Sequence, residues 1–194
     1  NVLGRWTHGF SPESEISVQA FYDRTDREFG VGREIRHTLD FDAQHRCAVG
    51  DRHEVVWGGA FRHSADDIAG SADFQMDDPN ERIRLFSAFV QDEFVLTADR
   101  LHLTLGTKVE HHKFTGFEIQ PSGRFAWMPH ERHTFWGALS RAVRTPSREE
   151  RDIRVFSNPR PALPPLPFPV VSPGRGNREL VSEELLACVF RRRC

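Results

Sequence analysis

The sequence predicts an all-β fold, an antiparallel up-and-down meander of about nine strands that forms a partial transmembrane β-barrel. Three observations support this prediction. Apolar and polar residues alternate along most of the chain, apolar stripes with a helical period are scarce, and several alternating stretches exceed the usual length of soluble strands. Alternation with a period of two places one set of side chains on each face of a sheet.

The clearest alternation lies in residues 34–49. One side carries Ile35, His37, Leu39, Phe41, Ala43, His45, Cys47 and Val49, and the other carries Arg36, Thr38, Asp40, Asp42, Gln44 and Arg46. The polar set spans about 11 residues, which matches the 9–11 residues that a tilted strand needs to cross a bilayer. Residues 101–110 repeat the pattern, with Leu101, Leu103, Leu105, Thr107 and Val109 against His102, Thr104, Gly106, Lys108 and Glu110.

The connections between the alternating stretches differ in length. Short turns are predicted at "SPES", "GDRH", "TADR" and "PHER", and mostly longer connections around residues 24–34, 65–83, 110–120 and 144–179. The last of these is the longest irregular region. Membrane barrels have short turns at one end and long loops at the other, whereas a Greek-key sandwich gives no reason for this asymmetry. We therefore predict lipid on one face of the sheet and water on the other.

Bulk composition excludes several classes of protein. A net charge of -2 and a pI near 6.6 argue against a nucleic-acid partner. No run approaches 18 apolar residues, so a transmembrane helix is excluded. The three cysteines, Cys47, Cys188 and Cys194, are too scattered for a disulfide framework or a CxxC metal site. Because the chain begins at Asn1 without a signal segment, we expect it to be a piece of a longer protein.

Four stretches carry a resemblance to a known family: "AFVQDEFVL", "DRLHLTLGTKVEHHKFTGFEIQPSGRFAWMP", "HTFWGALSRAVRTPSREERD" and "GNRELVSEELLA". In order and spacing, from about residue 84 to 187, they resemble the C-terminal barrel of TonB-dependent outer-membrane receptors. The resemblance implies that residues 1–194 are part of that barrel domain, with 144–179 as a long extracellular loop. The family's plug domain and TonB motif are not visible in this stretch, and "CVFRRRC" departs from the family pattern.

The function that the resemblance implies is active uptake of a scarce nutrient, such as a siderophore-iron chelate or cobalamin. The implied partners are outer-membrane lipid, TonB, the plug domain and an extracellular small molecule, at the outer membrane of a Gram-negative bacterium. This interpretation predicts that lipid contacts Leu39, Phe41, Ala43, Leu101, Leu103 and Leu105. It predicts that the lumen contains the side chains of Asp40, Asp42, His102 and Lys108. The Arg and Pro content of residues 147–179 hints at an anionic ligand.

No residues form a recognisable catalytic or metal site, so we predict no enzyme and no cofactor, and ligand-binding residues stay unknown. No nucleophile elbow, HExxH motif or P-loop is present. Neighbouring residues on a strand point to opposite faces, so joint ligation by His111 and His112 is unfavourable. His130 and His133 are interpreted as residues of a solvated turn. The acidic pairs Asp66–Asp67 and Asp77–Asp78 lack the features of a calcium loop and are interpreted as parts of solvated loops. The terminal arginines Arg191–Arg193 lie where the family pattern has ended, and no site is predicted there.

Two alternatives remain open at this point. One is a passive porin-like barrel, and the other is a soluble antiparallel β protein used for binding, which would be a stable monomer in water. A complete barrel of the TonB-dependent receptor family has 22 strands. Nine strands would leave two unpaired edges, which a bilayer does not tolerate. We therefore expect this chain alone to aggregate and not to transport.

Overall fold

A computed structural model describes residues 1–30, 32–97, 100–130, 132–156 and 173–193. Nine strands form one antiparallel sheet: β1 (Val2–Ser11), β2 (Ser14–Phe29), β3 (Gly32–Val49), β4 (His53–Ala69), β6 (Asn80–Thr97), β7 (Leu101–His112), β8 (Gly116–His130), β9 (His133–Arg144) and β12 (Glu183–Arg193). Their order in the sheet follows their order in the chain. The predicted up-and-down meander of about nine strands is confirmed.

A second, small sheet lies between the connections of the large one. It has the order β11-β10-β5, from β5 (Phe74–Met76), β10 (Ile153–Phe156) and β11 (Pro173–Arg175). The short helix α1 (Arg148–Asp152) precedes β10, and a capping box between Ser147 and Glu150 begins it. Among the described residues, no helix is long and apolar enough to cross a membrane.

Three predicted features of the connections are wrong. The stretch 24–34 is not a long connection, because β2 continues to Phe29 and β3 begins at Gly32. Likewise only residues 113–115 separate β7 from β8, where Gly116 has a φ of 74°. The prediction of one irregular region over 144–179 is also wrong in its described parts, which contain α1, β10 and β11.

The strands run past these points because they are longer than the alternation in the sequence indicated. β2, β3 and β6 have 16, 18 and 18 residues, against the 9–11 that cross a bilayer. Beyond that length charged residues occupy both faces of a strand, so the alternation weakens. Cross-strand pairs hold the extension together instead, such as Arg33 with Asp26 at 2.8 Å. The end of the sheet with these hairpins and the connections 70–79 and 145–182 is called the loop end, and the other the turn end.

The register assigns every strand residue to one of two faces, because directly opposed residues point to the same side. Phe41 opposes Ala20 and Phe61, and Phe61 opposes Phe86. This side, which also holds Leu39, Ala43, Leu101, Leu103 and Leu105, is called the apolar face. The polar face holds Asp40, Asp42, His102 and Lys108. The structure thus places the two predicted sets on opposite faces.

The molecule buries almost no apolar side chain. In the described residues the buried hydrophobic core consists of Ile68 and Met76, whereas 27 large hydrophobic side chains are exposed, including Trp57 and Phe117. A soluble domain of this size would cover such a surface with a second layer. No second layer covers the apolar face in the described chain.

Candidate functional site

The candidate residues from the sequence do not assemble into a metal site. In the part of the chain that the structure describes, no group of three or more His, Cys, Asp or Glu side chains could hold a metal ion. His111 lies on the apolar face with its ring 4.6 Å from Phe117, while His112 on the other face accepts a hydrogen bond from the Phe114 amide at 3.2 Å. His130 and His133 are cross-strand partners beside the β8–β9 connection.

The cysteines and terminal arginines show no site chemistry either. Cys47 is half-buried and Cys188 is exposed, both as free thiols, and Cys194 lies outside the described residues. Arg192 lies over the Phe135 ring at 5.5 Å. The residues that depart from the family pattern nevertheless form a regular strand, since β12 pairs with β9 along its full length.

The acidic pairs have a different role from the one predicted. The prediction of a solvated loop is wrong for Asp66 and Asp77, whose side chains are each only 5% exposed. Both carboxylates hold arginines from the connection between β9 and β12. A local reading of the sequence could not show this, because the partners lie about 80 or more residues away.

Asp66 is the centre of the first cluster at the loop end. Arg148 donates to Asp66 and to the main-chain carbonyl of Asp78, and its side chain is also 5% exposed. Arg36 lies 3.6 Å from the second oxygen of Asp66 and 2.5 Å from Glu34. The helix α1 is thereby anchored to β4, four strands away from β9 in the sheet. This anchor carries the β9–β12 connection across the sheet.

Asp77 is the centre of the second cluster. Arg154 and Arg175 both contact the Asp77 carboxylate, and Arg175 lies 3.1 Å from it. Arg178 links Asp77 to Asp152, and its distance to the Asp152 carboxylate is 2.7 Å. The hydrogen bond from Arg175 is the largest influence that holds the pKa of Asp77 below its usual range. Strand pairing of β10 with β5 and β11 adds main-chain hydrogen bonds to the same assembly.

These clusters pair four of the arginines of residues 147–179, the segment whose composition suggested an anionic ligand. Arg148, Arg154, Arg175 and Arg178 each pair with a carboxylate of this chain. Arg151 instead lies 4.5 Å from the centre of the Phe114 ring. The four arginines share three carboxylates, Asp66, Asp77 and Asp152, so most of their charge is compensated within the described chain.

A cavity of about 580 Å³ opens beside these clusters, between the β2–β3 hairpin and the small sheet. Its apolar part includes Phe29 and Phe74, whose rings meet edge to face at 5.6 Å. Its charged part includes Glu34 and Glu149. A volume of this size is within the range of small-molecule sites.

The polar face carries a second array of charged groups nearer the middle of the sheet. Arg62 donates to Asp40 at 2.7 Å, and Lys108 donates to Glu110 at 2.6 Å. A depression of about 400 Å³ lies between these pairs, with Asp42 at its edge. Leu85 and Phe89 also line this depression, but the charged groups around them suit contact with water or a polar partner better than packing against a second sheet.

Comparisons with known proteins agree with this architecture. Residues 2–166 match the family described as TonB dependent receptor-like, beta-barrel. The fold is similar to the siderophore receptor PirA from Pseudomonas aeruginosa, with a TM-score of 0.77 and 13% identity, over 98% of this chain and 36% of that chain. The siderophore receptor PirA from Acinetobacter baumannii gives a TM-score of 0.69 and 15% identity, over 98% of this chain and 32% of that chain.

The ferric enterobactin receptor PfeA gives a TM-score of 0.72 and 17% identity, over 92% of this chain and 30% of that chain. At these identities the likeness concerns the fold alone. The chain spans about a third of the length of each of these proteins. No protein of curated function matches the sequence.

Proposed function

Because this chain belongs to the family of TonB-dependent receptor β-barrels, we propose that it forms part of the wall of an outer-membrane receptor. This receptor takes up a scarce nutrient, such as a siderophore-iron chelate or cobalamin, with energy delivered through TonB. The observation that carries the proposal is the uncovered apolar face, opposed to a charged polar face. The same two faces occur in every strand of a barrel that separates lipid from a polar lumen.

Lipid is the partner that fits the apolar face best. Leu105 is 55% exposed and Leu139 is 61% exposed, although both lie in the middle of their strands. In water such a surface causes aggregation, whereas hydrocarbon covers it without cost. This argues against the alternative of a soluble binding protein, which must bury its apolar face within its own chain.

The polar face fits a lumen that is filled by water and a plug domain. Its ion pairs, such as Asp40 with Arg62, leave neighbouring acceptors such as Asp42 free for further hydrogen bonds within the described chain. A globular plug presents backbone and side-chain donors to such acceptors. Residues 1–194 are accordingly proposed as part of the barrel domain, and residues 144–179 as an extracellular loop.

The nutrient is proposed to bind at the loop end, in the cavity between Phe29 and Phe74. Aromatic rings there supply apolar contact area, and Glu34 and Glu149 supply polar groups that orient a ligand. The chemistry of the cavity favours a ligand with an apolar or aromatic part over a simple anion.

Uptake by cells that lack their own receptors tests this function. The complete receptor that carries this chain is expressed in such cells with and without TonB, and accumulation of radiolabelled ferric siderophores and cobalamin is measured. We expect accumulation of one class, abolished without TonB. Equal accumulation with and without TonB would favour the passive porin-like alternative instead.

A paired variant locates the binding site in the same assay. Phe29→Ala combined with Phe74→Ala removes both rings from the cavity and should raise the half-saturating ligand concentration about tenfold or more. The matched control is Phe10→Ala combined with Phe117→Ala, two exposed rings on the apolar face. An unchanged half-saturating concentration in the cavity variant would contradict the proposed location.

A further inference from the structure

Basic side chains form a collar across the apolar face at the loop end. On five neighbouring strands, β2, β3, β4, β6 and β7, arginine or histidine stands two positions past a large apolar residue of this face. Among the described residues of these strands, Ile35 of β3 is the one large apolar residue of the face that lies farther toward the loop end. The apolar residues are Tyr22, Leu39, Phe61, Phe86 and Val109, and the residues beyond them, here called the collar, are Arg24, His37, His63, Arg84 and His111.

The register makes the collar continuous. Arg24 directly opposes His37, and His63 directly opposes Arg84. The row of Arg24 and His37 continues through Ala65 to Arg82, so Arg84 is displaced from it by two residues along β6. With adjacent strands about 4.8 Å apart and a rise of about 3.3 Å per residue, Arg24 and Arg84 lie about 16 Å from each other. Both side chains are exposed. Arg82 lies two residues further along β6 on the same face, and it adds a third exposed guanidinium group.

Acidic groups neutralise the collar only in part. Asp26 lies 3.5 Å from Arg24, but both of its oxygens accept hydrogen bonds from Arg33 at 2.8 Å. Arg82 and Arg84 form no ion pair within the described residues. A depression of about 400 Å³ is lined by Arg24, His37 and Arg82, and also by the acidic residues Asp66, Asp67 and Glu81. The guanidinium groups of Arg82 and Arg84 are therefore available to an anion, while Arg24 shares its charge with Asp26.

We propose that Arg24 and Arg84, with His37 and His63 between them, bind the phosphate groups of lipid headgroups in the leaflet at the loop end. The apolar face places hydrocarbon directly below the collar, so the headgroups of the same lipids lie at the level of the arginines. Guanidinium groups match phosphate oxygens with two parallel hydrogen bonds. A basic patch next to a bilayer surface attracts anionic lipids. The inference rests on the lipid contact that the proposed function gives to the apolar face.

The test measures lipid binding to the complete receptor in detergent by native mass spectrometry. The probes are dioleoyl phosphatidic acid, dioleoylglycerol with the same chains but no phosphate, and inorganic phosphate. We expect phosphatidic acid to bind most tightly. Arg24→Gln combined with Arg84→Gln should weaken that binding about tenfold or more, and dioleoylglycerol binding should not change.

The matched control removes two arginines from the polar face, Arg46→Gln combined with Arg124→Gln. Circular dichroism of each variant verifies the β structure. Unchanged phosphatidic acid binding in the collar variant, or an equal loss in the control variant, overturns the proposal. Displacement of the lipid by inorganic phosphate at equal concentration would assign the collar to free phosphate instead and overturns the lipid assignment.

The outcomes also separate this proposal from the proposed function. If wild-type receptor binds phosphatidic acid and dioleoylglycerol equally, the apolar face still contacts lipid and only the collar proposal fails. If it binds neither lipid, the lipid contact of the apolar face fails as well, and the proposed function fails with it.

Discussion

Arg148 and Asp66 form a buried ion pair although 82 residues separate them in the sequence. The pair connects the first turn of α1 to the loop end of β4. Since β9 and β4 are four strands apart, the connection that follows β9 must cross the sheet to make this contact. This pair, together with the Asp77 cluster and the pairing of β10 with β5, positions the described part of the longest connection.

Loss of this pair should release the segment from the sheet. Arg148→Met leaves Asp66 buried without its closest partner, and breaking a buried pair in this way costs about 3–5 kcal/mol. We expect faster amide hydrogen exchange in β5 and β10 of the complete receptor, while β6 and β7 keep their protection. Hydrogen exchange followed by mass spectrometry measures both.

The control for this variant is an exposed arginine of the same region. Arg144 pairs with Glu150 at 2.6 Å and with Glu183 at 3.1 Å, and its side chain is 53% exposed. Exposed pairs contribute about 0–1 kcal/mol, so Arg144→Met should leave exchange in β10 nearly unchanged. Equal acceleration by the two variants would show that burial of the Arg148 pair is not what holds the segment.

Gly58 allows β3 and β4 to approach each other closely. A Cβ atom there would collide with the Ala43 carbonyl and would lie 2.9 Å from the Phe89 ring. Gly58→Ala should therefore destabilise the folded receptor by about 1–3 kcal/mol, measured as a lower midpoint of denaturant unfolding in detergent. Gly4→Ala, which meets nothing within 4 Å, should change the midpoint little. Similar midpoints for the two variants would contradict the packing described for Gly58.

Acid should open the small sheet before the large one. The pKa of Asp77 is lowered chiefly by the hydrogen bond from Arg175, and the pKa of Glu150 is lowered chiefly by the hydrogen bond from the Ser147 amide. Because both pKa values are lower in the folded state than in the unfolded one, the stabilisation is present above the ordinary carboxylate range of about 4. It is lost as the pH falls through the folded pKa values.

A spin label at Val155 in β10 reports this opening. Its mobility should rise between about pH 4 and pH 2 and stay constant between about pH 5 and pH 7. In Asp77→Asn the label should be mobile at every pH, since the asparagine cannot hold the arginines by charge. A label mobility that rises with increasing pH would have the wrong sign and would contradict this account of the Asp77 cluster.

The sequence alone predicts the alternating strands of the large sheet. Alternation is a local signal, so residues such as Phe41 and Asp40 already show which side chains share a face. The resemblance of residues 84–187 to TonB-dependent receptors is likewise confirmed by the family match over residues 2–166. Both inferences depend only on neighbouring residues and their order.

The loop end could not be predicted in the same way. Where the strands approach the loop end, charged residues such as Asp26 and Arg33 also occupy the apolar face, and the pattern that marks a strand weakens. The pairing of β10 with β5 and the burial of Asp66 depend on partners about 80 residues away. The pattern of neighbouring residues therefore predicts irregular loops for these segments.

The central claim is that the apolar face contacts lipid and the polar face contacts water. Single spin labels at Leu39 and Asp40 in the complete receptor, reconstituted in a bilayer, test it most directly. Oxygen, which partitions into lipid, should relax the label at 39 more strongly, and a water-soluble nickel chelate should relax the label at 40 more strongly. The reverse accessibilities, or strong relaxation of both labels by the nickel chelate, would contradict the account.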